Sequence, residues 1–357
     1  MIMKRTLVNI LLLTLSALML HQCKPIDLTA DYKDITVTYG ILNKKDKVHY
    51  FKVYRGYITD GNAYEVAGEW DQIYYPVDSI EVRLEEYQNG HCTRSAVLDT
   101  TTMIPKNEGD FHNPKQLLYY SDWELDVEST YKLVIRRHTS GDEIYAQTLL
   151  VGDFSIRRPM VSWNMNSENP YRIIFSTSEN AAMYDIYLTF YYIEVDNGTK
   201  AVVHKQISRK LNGDYIRATS GPEVIFTGFT PQSFFTTILQ GIETNPNVTR
   251  YIDSVAGKPY YCMRLTAWAA DNNYLTYREV STPGGSIVQN RQEYTNFVSE
   301  NETAYGLLAS RNYAIADLTF DNTSGHNEDT LVWSPRTRHL NFDYYRNSPE
   351  FPPHEKR

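Results

Sequence analysis

The chain has 357 residues, and 35 Lys and Arg against 43 Asp and Glu give it a formal net charge of −8. A chain of this charge lacks the basic footprint that nucleic-acid binding requires, so that class of function is excluded. Tyrosine is abundant at 29 residues, beside 13 Phe and 5 Trp. Together with many Val, Ile and Thr, this composition favours strands.

The chain begins with a basic pair, Lys4 and Arg5, followed by an apolar run over residues 7–20. A helix needs about 20 apolar residues to cross the hydrocarbon core of a bilayer, and this run is shorter. It stops at a polar stretch that contains Pro25. The arrangement predicts a secretory signal peptide over residues 1–22.

Cys23 stands directly after this apolar segment, three residues beyond Leu20. The position resembles the lipobox of bacterial lipoproteins, in which the signal is cut before the cysteine and the thiol carries a diacylglycerol. Gln22 departs from the small residue that is usual before the cysteine, so an ordinary signal peptide is the alternative. The resemblance implies lipid attachment at Cys23, an anchor linker over residues 23–33, and firm anchoring, since each buried methylene contributes about 0.8 kcal/mol.

Residues 34–156 alternate short strand-like runs with turn signals, which predicts a β-sandwich. One short helix is expected over residues 63–74. The predicted strands are residues 35–42, 49–58, 79–87, 95–103, 116–120, 131–137 and 143–151.

Leu125 and Tyr131 stand six residues apart, just before an alternating strand. The spacing resembles the tyrosine corner of fibronectin-type and immunoglobulin-like sandwiches, where the hydroxyl bonds back to the upstream chain. It implies an immunoglobulin-like first domain and a structural role for Tyr131.

Arg157-Arg158-Pro159 predicts a linker, and residues 160–318 predict a second β-rich domain with a helical insertion near residues 230–250. Thr230 as N-cap and Pro231 at the first helical position predict a helix to about residue 242. A second helical piece is expected from Asn245. The sequence beyond residue 318 predicts a C-terminal tail over 319–357 that is partly disordered. The predicted strands of the second domain are residues 161–163, 171–176, 184–195, 200–211, 260–269 and 304–309.

No catalytic motif is present in the sequence: it has no His-Glu-x-x-His, Gly-x-Ser-x-Gly or Walker loop. The nine histidines lack metal-ligand spacing. We therefore predict no enzyme, no metal and no cofactor. Cys92 and Cys262 could pair in an oxidising compartment, and two separate thiols are the alternative. Weaker candidates, each more typical of a turn, loop or strand end, are Asp110 with His112, Glu85-Glu86, Glu194 with Asp196, and Gly284-Gly285-Ser286.

Four triplets combine Asp, then Ser or Thr, then an aliphatic residue or Thr. The pattern resembles the O-glycosylation sequon of exported Bacteroidota proteins, and the alternative is that all four are ordinary strand edges. The candidate acceptors are Ser79, Thr100, Ser254 and Thr330.

Several phrases occur in a fixed order: VTYGILNKKDKVHYFKVYRGYI, DSIEVRLEEY, FHNPKQLLYY and TYKLVIRR, then FSTSENAAMYDIYLTFYYIE and EYTNFVSENETAYGLLASRN. Over about residues 30–315 they resemble a family of Bacteroidota outer-membrane lipoproteins that carries only a domain-of-unknown-function label. Genes of that family often accompany TonB-dependent outer-membrane receptors.

The resemblance implies a protein anchored in the outer membrane, on the periplasmic or the exposed side, with a receptor barrel as partner. We therefore expect a binding or accessory subunit. Tyr187, Tyr191 and Trp268 could stack on sugars or pack on a partner, and filling the core is the simpler role. The alternative functions are a surface adhesin or structural envelope protein and, less favoured, a glycan-active enzyme.

Overall fold

The computed structural model describes residues 35–56, 63–109, 114–281, 294–300, 303–323 and 325–352. The fold is mainly β, as the sequence predicts. Its strands are β1 Ile35–Leu42, β2 His49–Arg55, β3 Ile80–Gln88, β4 His91–Val97, β5 Asp99–Thr101, β6 Leu118–Ser121, β7 Thr130–Arg137, β8 Glu143–Leu149, β9 Ile156–Arg158, β10 Ser162–Trp163, β11 Tyr171–Ser176, β12 Met183–Asp196, β13 Val202–Lys210, β14 Ile216–Arg217, β15 Glu223–Phe229, β16 Val248–Ile252, β17 Tyr261–Ala270, β18 Val298–Ser299 and β19 Thr303–Phe320.

The helices are short, and among the described residues none combines the length and the apolar character needed to cross a bilayer. The α-helices are α1 Ala63–Ala67, α2 Trp70–Ile73, α3 Asn272–Ser281 and α4 Asn327–Trp333. Short 3-10 and π turns lie at Pro231–Ser233, Phe234–Ile238, Leu239–Gly241, Val255–Gly257, Arg338–Leu340 and Tyr345–Asn347.

The strands of the described chain form three sheets. The large sheet runs in the order β13-β12-β17-β19-β1-β2-β6-β5, with β10 on β19 and with β14 and β16 on β12. A second sheet has the order β18-β8-β7-β3-β4, and a third has the order β15-β11-β9.

Two hydrophobic cores lie along the inner face of the large sheet. In the first core, Leu42 and Phe51 from the large sheet belong to one cluster with Leu84 and Leu133 from the second sheet. The second core combines β12, β17 and the end of β19 with the third sheet and the C-terminal segment. Burial of these apolar side chains is the main stabilising contribution in a fold of this kind.

Strand β19 contributes residues to both cores. Residues 303–310 pair in parallel with β1, and residues 311–319 pair antiparallel with β17. Leu308 belongs to the first core and Leu318 to the second. The strand expected at residues 304–309 of the second domain thus lies inside the large sheet beside β1.

Gly306 allows β1 and β19 to approach each other. It has φ +128° and stands opposite Thr38, and a Cβ at this position would lie 1.7 Å from the Thr38 carbonyl oxygen. A glycine is required here because it has no Cβ and tolerates a positive φ.

The predicted helices differ from the observed ones. The helix expected over 63–74 is broken into α1 and α2, and the helix expected from Thr230 is a series of 3-10 and π turns. Asn245-Pro246 leads into a turn rather than a second helical piece. Helix α3 was not predicted, because Leu275 is its only fully buried described residue and it has no apolar stripe.

The C-terminal segment, residues 325–352, is ordered where the sequence predicts partial disorder. Leu331, Leu340, Phe342, Tyr345 and Phe351 are all buried in the second core. The sequence does not indicate this packing because the apolar side chains of the segment are too sparse to give a strand or helix period. Their side chains are instead buried in the second core, among residues of the sheets.

Candidate functional site

A cavity of about 510 Å³ opens beside β1 and β2 of the large sheet, and two of its lining residues, Ile73 and Tyr74, belong to the first core. Its volume lies in the range of small-molecule sites. We call it the aromatic cavity. It is lined by Val37, Tyr39, Tyr54, Arg55, Gly56, Ile73, Tyr74 and Lys106.

Strand alternation places the aromatic side chains of this cavity. Successive side chains on a strand point to opposite faces. Thr38 and Leu42 of β1 are buried on the inner side, so Val37 and Tyr39 lie on the outer side. Tyr54 of β2 stands directly opposite Val37, and directly opposed residues share a face.

The cavity wall is completed by the chain around α2. The Tyr74 ring is 5.6 Å from the Tyr54 ring and 4.3 Å from the Trp70 ring, measured between centroids. On the other side, the Tyr39 ring meets Tyr277 of α3 edge-on at 6.3 Å. Burial, and then the neighbouring Tyr74 and Tyr39, raise the pKa of Tyr54 to about 12, so its phenol is neutral at physiological pH.

Among the described residues, the charged side chains that line the cavity are those of Arg55 and Lys106. Lys52 stands opposite Tyr39 on the same face of the sheet. Burial, and then the charge of Lys52, hold the pKa of Lys106 below its usual value.

Tyr131 is fully buried in the first core. Its hydroxyl accepts a hydrogen bond from the backbone N–H of Asp126 at 2.8 Å and donates one to Glu86 Oε1 at 2.9 Å. The first of these bonds ties the Tyr131 hydroxyl to the backbone five residues upstream. Glu86 accepts a further bond from Ser129 Oγ.

The candidate glycosylation residues lie in different environments. Ser79, Thr100 and Ser254 are half-buried near strand ends or in turns, and Ser79 Oγ donates to the Pro76 carbonyl. Thr330 lies inside α4, where its hydroxyl donates to the His326 carbonyl and accepts from Asn166. Thr330 is half-buried like the other three, and its hydroxyl is engaged in both of these bonds.

The carboxylate pairs considered for acid–base chemistry are engaged in structural contacts. Glu85 accepts from Arg83 Nε at 2.9 Å and from the Tyr87 hydroxyl at 2.8 Å. Burial alone would raise the pKa of Glu85, but these hydrogen bonds hold it below its usual value. Asp196 accepts from the backbone N–H groups of Gly198 and Thr199 in a hairpin turn.

Glu194 binds the most deeply buried cation among the described residues, Arg250. Its Oε1 accepts from Arg250 Nε at 2.9 Å and from Nη2 at 2.7 Å. The same guanidinium donates to the carbonyls of Leu340 and Glu243. This group holds the C-terminal segment against the large sheet.

Some sequence-predicted residues lie outside the described part of the chain: Cys23, Asp110 with His112, and Gly284-Gly285-Ser286. Cys92 is exposed on β4, whereas Cys262 is fully buried in the second core, and the two thiols are free. Burial raises the pKa of the Cys262 thiol, so it is unreactive.

Trp268, Tyr187 and Tyr191 are half-buried on the outer face of the large sheet. The Trp268 ring is 4.9 Å from the ring of Tyr313 on β19, and Arg311 lies 4.6 Å from the Trp268 ring centroid. The structure thus places these three aromatic residues on the sheet surface, outside the second core.

His204, Asp253 and Glu350 form a group of potential metal ligands that the sequence did not predict. His204 Nδ1 lies 2.9 Å from Asp253, and Nε2 lies 3.2 Å from Glu350. The hydrogen bond to Asp253 is the main cause that raises the pKa of His204. His204 of β13 therefore links Asp253 to Glu350 of the C-terminal segment.

Sequence reasoning missed the aromatic cavity as well. Each of its strands was predicted, but nothing local indicates that residues 70–74 pack beside β2. The available signal was that Tyr39 and Tyr54 alternate onto the outer face of the sheet. A half-exposed strand does not need tyrosines at such positions.

No protein-family model matches the chain, and no curated protein matches it. Among solved structures the chain is similar to one titled "Crystal structure of CBD12 from CALX1.2". The match covers 78% of this chain and 98% of that chain at 11% identity, with a TM-score of 0.14. A likeness at that level establishes neither fold nor function for this chain.

Proposed function

We propose that this chain is a lipid-anchored protein of the bacterial outer membrane that binds a ligand and does not transform it. The observation that carries the proposal is the aromatic cavity, whose size and mixture of rings with a few polar groups are typical of ligand sites. The acidic pairs weighed for catalysis are engaged in structural contacts, which favours binding over chemistry.

The architecture that we propose for this function has two sandwich units, the first immunoglobulin-like. Two observations support this view: two sheets contribute side chains to the first core, and the Tyr131 hydroxyl bonds to Asp126. The anchor is a diacylglycerol on Cys23. The partner is a TonB-dependent receptor barrel, and this protein acts as its ligand-capturing accessory subunit.

A second candidate function is a surface adhesin or structural envelope protein. The observation that favours it is the aromatic surface around Trp268 and Tyr313, with Ile315 46% exposed beside it on β19. Partly exposed aromatic side chains next to an exposed apolar one on the same sheet face are typical of protein contact sites.

The test is purification of the full chain from native membranes in mild detergent, as wild type and as Cys23→Ala. Wild type is expected to stay in the membrane and to bring down a receptor barrel in stoichiometric amount, and Cys23→Ala to be released. Cys92→Ala is the matched control, since it removes an exposed thiol elsewhere in the chain, and it should remain anchored.

Anchored protein that purifies without a barrel would contradict the accessory role at a receptor barrel and would favour the adhesin function. Cys23→Ala that stays in the membrane would contradict the lipid anchor itself.

A further inference from the structure

His204, Asp253 and Glu350 come from three separate segments and meet beside β13, the strand at one end of the large sheet. His204 lies on β13, Asp253 directly follows β16, and Glu350 belongs to the C-terminal segment. One potential ligand atom from each residue lies within 4.8 Å of the others. Imidazole nitrogen and carboxylate oxygen are donors that zinc-type ions take in proteins.

The two nitrogens of the His204 ring face different carboxylates. Nδ1 lies 2.9 Å from Asp253 Oδ2, and Nε2 lies 3.2 Å from Glu350 Oε1. Asp253 is itself held in place, because its Oδ1 accepts from the backbone N–H of Ser254 at 2.7 Å. When Nδ1 donates to Asp253, a neutral ring carries its lone pair on Nε2. A carboxylate behind a histidine in this way fixes the tautomer and raises the basicity of the nitrogen that binds a metal.

The separation of Nε2 from Glu350 Oε1 matches that of two ligands of one ion. With bonds of about 2.1 Å to the metal and an angle between 90° and tetrahedral, two ligand atoms are about 3.0–3.4 Å apart. The observed 3.2 Å lies in that range. A neutral Nε2 and a carboxylate oxygen are both acceptors, so the pair is stable only with a cation, either a proton or a metal ion.

The exposure of the three side chains fits these roles. His204 is 60% exposed and Glu350 39%, whereas Asp253 is 13% exposed. An ion can therefore reach the two ligands from solvent and keep water in its remaining positions. The surroundings also favour positive charge, because the hydrogen bond to Asp253, and then the charges of Asp253 and Glu350, raise the pKa of His204.

We propose that His204 Nε2 and Glu350 bind a divalent transition-metal ion of the zinc type, with Asp253 positioning the imidazole and water completing the coordination shell. The ion would join β13 to the C-terminal segment, one residue before Phe351, which is buried in the second core. This inference goes beyond the proposed function and does not depend on it.

The experiment is calorimetric titration of the full chain, without an affinity tag, in mild detergent. Zinc chloride is the probe and calcium chloride the control, at mildly alkaline pH, where protons compete less for Nε2. Every protein carries Cys92→Ala, because an exposed thiol can bind zinc itself. Zinc is expected to bind at least about tenfold more tightly than calcium, which prefers oxygen ligands.

Variants assign the zinc to this site. His204→Gln and Glu350→Gln should each weaken zinc binding at least about tenfold, and Asp253→Asn, which keeps an acceptor but removes the charge, about tenfold. His138→Gln is the matched control, because His138 is also exposed but its Nδ1 lies 2.8 Å from the Asp78 carbonyl oxygen. It should bind zinc as the parent does.

Limited proteolysis tests the link between the two segments. Zinc should slow cleavage of the C-terminal segment in the parent protein and have no such effect in His204→Gln. The absence of zinc binding, equal affinities for zinc and calcium, or an unchanged zinc affinity in either His204→Gln or Glu350→Gln would each overturn the site. Zinc that binds without slowing the cleavage would overturn the link to the C-terminal segment.

Discussion

At the scale of the residue, Asp271 shows how the two cores are joined. Its carboxylate is 6% exposed and accepts hydrogen bonds from Thr148 Oγ1 at 2.7 Å and from the backbone N–H groups of Ser310 and Tyr274. One acid therefore contacts β8, β19 and the first turn of α3. Burial raises its pKa to about 6, because these neutral donors only partly replace water.

The raised pKa of Asp271 makes the free energy of unfolding depend on pH, and the direction of that dependence can be worked out. Between the unfolded value of 3.8 and about 6, the folded protein retains a proton that the unfolded chain has lost. The contribution of Asp271 to the free energy of unfolding is thus largest below about pH 4 and falls as the pH rises through 6. The full loss is about 3 kcal/mol.

We expect Asp271→Asn to remove this part of the pH dependence. The measurement is urea unfolding of both proteins between pH 4 and pH 7, with the stability difference followed across that range. Asp122→Asn, at an exposed loop position, is the control and should keep the wild-type slope. A wild-type slope in Asp271→Asn would show that this carboxylate does not titrate as described.

At the scale of the element, the contact between β1 and β19 depends on Gly306. The parallel register brings the Thr38 carbonyl oxygen to within 1.7 Å of the position that a Cβ on residue 306 would occupy. We expect Gly306→Ala to lower the free energy of unfolding by about 3 kcal/mol or more, because the new Cβ forces the strands apart and strains a positive φ.

The matched control is Gly198→Ala in an exposed hairpin turn, where the nearest atom to a new Cβ is Asp196 Oδ1 at 3.4 Å. It should change stability by less than about 1 kcal/mol. Urea unfolding measures both, and equal effects would mean that β1 and β19 can separate without cost.

The elements also show what could be predicted from the sequence. Strands with clear alternation, such as β1 and β11, begin and end where the pattern predicts. Helix α3 and strand β15 lack a matching period, so local reasoning did not find them. The pairing of β1 with β19 is set by long-range packing, which no local pattern contains.

The same limit applies to the candidate site. The outward positions of Tyr39 and Tyr54 follow from strand alternation, but their meeting with Tyr74 and Lys106 follows only from tertiary packing. The histidine group at His204 is another case, because its three members come from segments far apart in the chain.

At the scale of the whole molecule, Arg250 fastens the C-terminal segment. Its side chain is 2% exposed, and it binds Glu194 together with the Leu340 carbonyl. We expect Arg250→Met to lower the free energy of unfolding by about 3–5 kcal/mol, because Glu194 and the carbonyl lose a buried partner. The segment should then be cut faster by a protease.

Arg264→Met is the matched control on the same sheet, since its pair with Asp317 is partly exposed. It should cost less than about 1 kcal/mol and leave the protease pattern unchanged. Urea unfolding and limited proteolysis measure both variants. If the C-terminal segment of Arg250→Met is as resistant to the protease as that of the wild type, its buried apolar residues are enough to hold it in place.

Strand β19 has a further consequence for the order of events during synthesis. Strand β1 is the first strand of the described chain, and its parallel neighbour, β19, is the last. Until residues 303–310 have left the ribosome, that edge of β1 has no native partner, and an open strand edge is prone to pair with other chains. The large sheet around β1 can therefore be completed only after β19 has been synthesised.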